Sequence, residues 1–189
     1  NTFLETVSPE LPPVSSDYKG TWLSLYRETL EKRATFLADV PFSDMAAYKA
    51  ILERAPTPYH IQISNSAPIR YAQLFPAKAG WQVFCNRGTS GIDGSTSTAI
   101  GASVVQSTPT LLITGDLSFF YNSNALWCNY IPKNLKIIVV NNAGGGIFRI
   151  LPTDKGTPFF ETFQETTHSL TAKHLCAMYG FTYLCAQNQ

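Results

Sequence analysis

The apolar positions of this chain keep two rhythms. Between residues 18 and 39, Trp22, Leu25, Leu30, Ala34 and Leu37 recur at helical spacing and predict an amphipathic helix. Residues 43–55, SDMAAYKAILERA, predict a second helix with Ser43 as N-cap and Asp44 in the first turn. From residue 59 onward the apolar runs shorten: YHIQIS (59–64), which alternates and ends in the polar turn NSAPIR (65–70), WQVFCN (81–86), TLLIT (110–114) and LKIIVV (135–140) each read as a strand. Helices are expected in the later part of 87–106, over 118–130 and over 169–180, the last closing at Gly180, with FTYLCA (181–186) as a final strand. Residues 1–17 are polar and Pro-containing and read as a linker, leaving 18–189 as the folded domain.

Strands that alternate with helices and are apolar on both faces imply a parallel sheet covered on each side. The expected class is α/β, a three-layer doubly wound parallel sheet with helices on both faces. Ligands in such folds bind beyond the carboxyl ends of the strands. Each polar, Gly-rich stretch of this sequence lies there, which marks a binding domain.

Composition narrows the class further. The 189 residues suffice for one domain with a real core, at 44% hydrophobic and 14% charged content. Net charge is +1 with scattered Lys and Arg, which argues against nucleic acid. No apolar run approaches the roughly 18–20 residues of a membrane span, so no stable membrane association is expected. The N-terminus lacks the pattern of a signal peptide. Cys85, Cys128, Cys176 and Cys185 are widely spaced and read as free, reduced thiols of a cytoplasmic protein. His60, His168 and His174 fall in no zinc-ligand spacing. The chain has no initiating Met and stops in an expected strand, so it reads as a fragment of a longer protein.

The chemistry concentrates at two strand ends. Asp116 and Asn142 each follow an apolar run, twenty-six positions apart, room for one helix and a return strand. If the two strands are neighbours their ends lie about 4.8 Å apart. A carboxylate and an amide oxygen would then converge on one hard cation, Mg²⁺ or in its place Mn²⁺. Gly144 to Gly146 let the backbone turn sharply enough to offer a carbonyl as a further ligand. Gly115, Leu117 and Ser118 open the following helix, whose N–H groups suit a phosphate, so a metal-bridged diphosphate is the natural ligand. The alternative is that Asp116 only caps its helix and Asn141-Asn142 only turns the chain.

The stretch GDLS (115–118) followed by Asn141-Asn142 resembles the thiamine-diphosphate signature, in which Gly-Asp-Gly precedes Asn-Asn; Leu117 departs from it. NSAPIR (65–70), NRGTSGIDGSTSTAIGA (86–102) and NNAGGGIFRILP (141–152) are similar to one branch of that family, the carboligases of menaquinone biosynthesis. The likeness covers about residues 60–152 strongly. It implies the C-terminal diphosphate-binding domain of a three-domain enzyme, a transferase that joins decarboxylated 2-oxoglutarate to isochorismate. By the same likeness Asp116, Asn142 and the Gly144 carbonyl hold Mg²⁺. Ser90 and Gly91 hold the pyrimidine of the cofactor, and Ile92 is the stiff wedge that bends it. Ser66, Arg70 and Arg87 receive substrate carboxylates, and Ile147, Phe148 and Leu151 wall the intermediate.

Arg149 stands where the motif carries a small residue, and either faces solvent or adds a carboxylate contact. The resemblance puts the activating Glu on an N-terminal domain, supplied by a partner subunit of a homodimer or homotetramer. No catalytic residue is therefore expected in this chain, and the isolated fragment is expected to be inactive. The rivals are an acetolactate-synthase-like carboligase or 2-oxoacid decarboxylase of the same family, and a non-catalytic nucleotide-binding α/β module. GTSGIDG is not a G-x-G-x-x-G fingerprint, which weakens the last.

Overall fold

The computed structural model describes residues 2–12 and 14–187. The chain divides into two compact units, 1–41 and 42–189, where the sequence put its boundary at residue 17. The first unit carries α1 (Thr2–Val7), a 3-10 turn at Ser8–Glu10 and α2 (Tyr18–Ala38), so residues expected to be linker are in part helical. Helix α2 forms as expected, but of its apolar stripe only Leu37 is buried; Trp22 and Leu25 are exposed.

In the second unit, α3 (Asp44–Arg54) starts at the expected cap: the Ser43 hydroxyl accepts the Ala46 N–H at 3.4 Å. Four strands follow, β1 (Tyr59–Ile63), β2 (Trp81–Cys85), β3 (Thr110–Gly115) and β4 (Leu135–Val140). All pair in parallel in the order β2-β1-β3-β4. One face of the sheet buries Ile61, Ile63, Leu111 and Ile113 against Tyr48 and Leu52 of α3 and Ala55 just past its end, with Ile69 and Tyr71 of α4 (Ala67–Ala72). The other face sets Leu135, Ile137 and Val139 against α5 (Ser95–Val105), α6 (Asp116–Tyr121) and α8 (Lys173–Tyr179). Helices thus cover both faces, the three-layer arrangement that the doubly apolar strands demand. Removing side chains such as Ile61, Leu112 and Ile113 wholly from water contributes about 1.5–3 kcal/mol each.

Three local expectations are corrected. The helix expected over 118–130 begins earlier, at Asp116, and breaks at Asn122, after which Ser123–Trp127 form a 3-10 turn. Asn122 leaves the helix because its side chain ties back to α5, accepting the Ser97 N–H and donating to the Ser97 hydroxyl. Residues 181–187 form no strand; Leu184 is 88% exposed and the run has no pairing partner among the described residues. The stretch NSAPIR, expected as a turn, becomes α4 from Ala67, with Pro68 in its first turn, where its missing N–H costs nothing.

The connection from β1 runs outward to β2, and that from β3 runs the other way to β4. The crevice between the carboxyl ends of β1 and β3 is therefore a topological switch point, the place where such sheets bind ligands.

Candidate functional site

A cavity of about 540 Å³ opens at that switch point. The loop after β1 supplies Asn65 and Ser66, and Arg70 comes from α4. The loop after β2 supplies Arg87, Ser90, Gly91 and Ile92. The turn from β3 into α6 brings Gly115, Asp116, Leu117 and Ser118. The loop after β4 and α7 (Gly146–Ile150) bring Asn142, Ile147, Phe148 and Leu151. Every site residue expected from the sequence lines this cavity except Gly144, which lies buried behind it. Leu117, the departure from Gly-Asp-Gly, is among the residues that line it.

Asp116 is 2% exposed. Its Oδ1 accepts the N–H of Leu117 at 2.7 Å and its Oδ2 accepts the N–H of Gly144 at 3.0 Å. The carboxylate therefore both serves its own helix start and reaches the loop after β4, so capping alone does not account for it. His168 Nδ1 accepts the Leu170 N–H, which leaves the ring proton on Nε2. That nitrogen lies buried 3.2 Å from Asp116 Oδ2, in contact but angled away from a hydrogen bond.

The loop after β4 is braced from behind. Glu165, the last residue of a wide helical turn at Phe160–Glu165, accepts the Gly145 N–H on its carbonyl at 2.6 Å. Gly144 adopts φ +149°, and a Cβ there would meet that same carbonyl at 2.9 Å. Arg149, partly exposed, reaches groups of the protein itself. It donates to Glu165 Oε1 at 2.5 Å and to the Asn142 carbonyl at 2.9 Å, tying the loop to its brace.

On the other side of the cavity, Arg87 donates to Asn65 Oδ1 at 2.8 Å and to the Ser90 hydroxyl at 2.9 Å. Asn65 donates in turn to the Gly91 carbonyl, and the Ser118 hydroxyl donates to the Ile92 carbonyl. Three non-glycine residues in these loops hold positive φ: Ser66 (72°), Ser90 (60°) and Ala143 (64°). Such strain gathers where a loop is held for a ligand rather than for its own comfort. Burial, with Asp44, Tyr71 and Asp116 adding to it, pushes the Tyr48 phenol far up, so it stays neutral beside the two carboxylates. Burial also raises the Cys85 thiol, against the opposing pull of Arg87.

Residues 66–189 match the family described as thiamine pyrophosphate enzyme, C-terminal TPP binding domain. The chain belongs to that family. It is 53% identical over 97% of its length to a 2-succinyl-5-enolpyruvyl-6-hydroxy-3-cyclohexene-1-carboxylate synthase of Flavobacterium psychrophilum, covering 33% of that protein. A synthase of the same name from Flavobacterium johnsoniae is 49% identical over the whole chain and 34% of its own length. One from Porphyromonas gingivalis is 42% identical over 97% of the chain and 32% of its own length. The chain thus spans about a third of the length of the curated relatives it matches.

The residues present fit thiamine diphosphate. The cavity is of small-molecule size. Asp116 keeps acceptor capacity beyond its two backbone bonds. A Cβ on Gly146 would collide with Asn142 Nδ2, so that position has to be bare for the amide to sit where it does. Four residues of the arrangement escaped sequence reasoning: Asp44, Asn65, Glu165 and His168. Asn65 stood inside the quoted NSAPIR motif, and the other three carry no local signal, because they reach the site through folding alone.

Proposed function

We propose that this chain is the diphosphate-binding domain of a 2-succinyl-5-enolpyruvyl-6-hydroxy-3-cyclohexene-1-carboxylate synthase. The whole enzyme would be a transferase that decarboxylates 2-oxoglutarate and joins the remaining fragment to isochorismate. The observation that carries the reading is the meeting of Asp116 and Asn142 with Arg70, Arg87 and Ser66 around one cavity. A diphosphate site beside two guanidinium groups suits a reaction whose substrates both carry two carboxylates.

When bound, the cofactor supplies the nucleophilic carbon that makes decarboxylation and carbon–carbon bond formation possible. The side chains of Asp116 and Asn142 and the Gly144 carbonyl would hold Mg²⁺, and Mn²⁺ would serve in its place. The start of α6, at Gly115, Leu117 and Ser118, would face the diphosphate. Ser90, Gly91 and Ile92 would seat the pyrimidine, with the branched Ile92 as the rigid support. Arg70, Arg87 and Ser66 would orient substrate carboxylates, while Ile147, Phe148 and Leu151 exclude water from the reacting atoms. The Glu that activates the cofactor would lie on an N-terminal domain, contributed across the interface of a homodimer or homotetramer in the cytoplasm.

The test uses the full-length enzyme. Carboligation with 2-oxoglutarate plus isochorismate, and none with pyruvate, is expected; the reverse preference would move the protein to the acetolactate-synthase-like branch. Calorimetry with thiamine diphosphate should show Mg²⁺-dependent binding that Asp116→Ala weakens by more than about 100-fold. Unchanged affinity in that variant would remove the metal assignment.

A further inference from the structure

The first turn of α3 brings a second carboxylate to the cavity. Ser43 caps the helix, which fixes Asp44 at its first position, and Asp44 lines the cavity together with Asp116 and Asn142. Asp44 Oδ2 accepts a hydrogen bond from Asn142 Nδ2 at 2.6 Å, across 98 positions of sequence. A carboxamide has one donating end and one accepting end, and the two exchange when the group flips. An ionised carboxylate takes only the donating end, and the charge-assisted bond is among the stronger ones available.

Two neighbours reinforce this orientation. Gly146 leaves room for Nδ2 where a Cβ would strike it. Arg149 holds the Asn142 carbonyl, which fixes the backbone from which the amide projects. With Nδ2 engaged, Oδ1 is the end of Asn142 left for a hard cation, which prefers oxygen.

We infer that Asp44 is a positioning residue for the metal site, presenting Asn142 to the cation by its oxygen. The inference rests on the reading of Asp116 and Asn142 as the metal-holding pair. It assigns Asp44 no contact with metal, cofactor or substrate.

The experiment is a Mn²⁺ titration of the full-length enzyme with thiamine diphosphate, followed by electron paramagnetic resonance, together with the melting temperature of the metal-free protein. Asp44→Asn should weaken Mn²⁺ binding by roughly 10- to 100-fold, the usual cost of losing a group that orients a ligand. The metal-free melting temperature should stay put, and Asp44→Glu should recover part of the affinity. Because removing any nearby negative charge weakens a cation site, the deciding measurement is a double-mutant cycle with Asn142→Ala. If Asp44 acts through Asn142, Asp44→Asn costs little more once Asn142 is gone. Losses that simply add would overturn the inference, as would wild-type affinity in Asp44→Asn. Wild-type affinity in Asp116→Ala would instead bring down the metal-site reading beneath it.

Discussion

Arg149 satisfies two acceptors at once, the Glu165 carboxylate and the Asn142 carbonyl, and so links the loop after β4 to the segment behind it. Its side chain is 41% exposed while that of Glu165 is 10% exposed, so screening reduces the worth of the ion pair without removing it. Arg149→Leu should lower stability by about 1–2 kcal/mol, mostly through the stranded Glu165 carboxylate and Asn142 carbonyl. Denaturant titration reads this directly, and an unchanged midpoint would mean that the loop stands without its brace. Ile92 offers a different test, because it lines the cavity and its carbonyl is already held by Ser118. Ile92→Ala should leave that backbone bond in place and take away only the rigid side chain. The expected outcome is a fall in kcat of roughly 10- to 100-fold with little change in cofactor affinity, the mark of lost orientation rather than lost binding.

Two elements set the frame on which these residues stand. Helix α3 is fastened at its start by the Ser43 hydroxyl, and Ser43→Ala should cost about 1 kcal/mol, within the usual range for a lost N-cap. Because Asp44 follows the cap directly, the same variant should also loosen Mn²⁺ binding, which a cap remote from the site would not do. Strand β1 carries His60, buried against Phe84 with its Nε2 2.9 Å from Gln62 Nε2. Burial lowers its pKa, so the folded protein favours neutral imidazole. That contribution to stability is complete above the unfolded value of about 6.5, and is lost as the pH falls from there through the folded value. The denaturation midpoint should therefore drop as the pH falls below about 6.5 toward the folded value, and His60→Phe should flatten that part of the curve. Equal slopes would show that His60 does not carry the effect. Both elements were legible from pattern: Ser43 by its place before an apolar period, β1 by its alternation. The run over 181–186 was also expected as a strand, but a strand forms by pairing, and no described neighbour pairs with it.

At the scale of the molecule, what the sequence carried was the parallel order of short apolar runs and the motifs at their ends. Asp116 and Asn142 do come to one cavity because β3 and β4 are paired neighbours, with Gly115 opposite Val140. What it could not carry was the reach of α3 across the sheet to Asn142, or of the 160–168 segment to Gly145 and Asp116, since neither depends on local spacing. Those contacts have a consequence for how the whole protein takes its ligands. Two carboxylates, Asp44 and Asp116, line the cavity in which a diphosphate would sit. Like charges at short range in a partly dry site repel strongly, so the cofactor should bind poorly until a divalent cation lies between. Metal and cofactor are then coupled ligands, and linkage requires each to tighten the other by the same factor. In the full-length enzyme, saturating Mn²⁺ should tighten thiamine diphosphate at least about tenfold, near 1.4 kcal/mol, and saturating cofactor should tighten Mn²⁺ equally. Chelation should undo both, along with the ligand-induced rise in melting temperature. Thiamine diphosphate binding that ignored the chelator would contradict a cation held between Asp116 and the diphosphate.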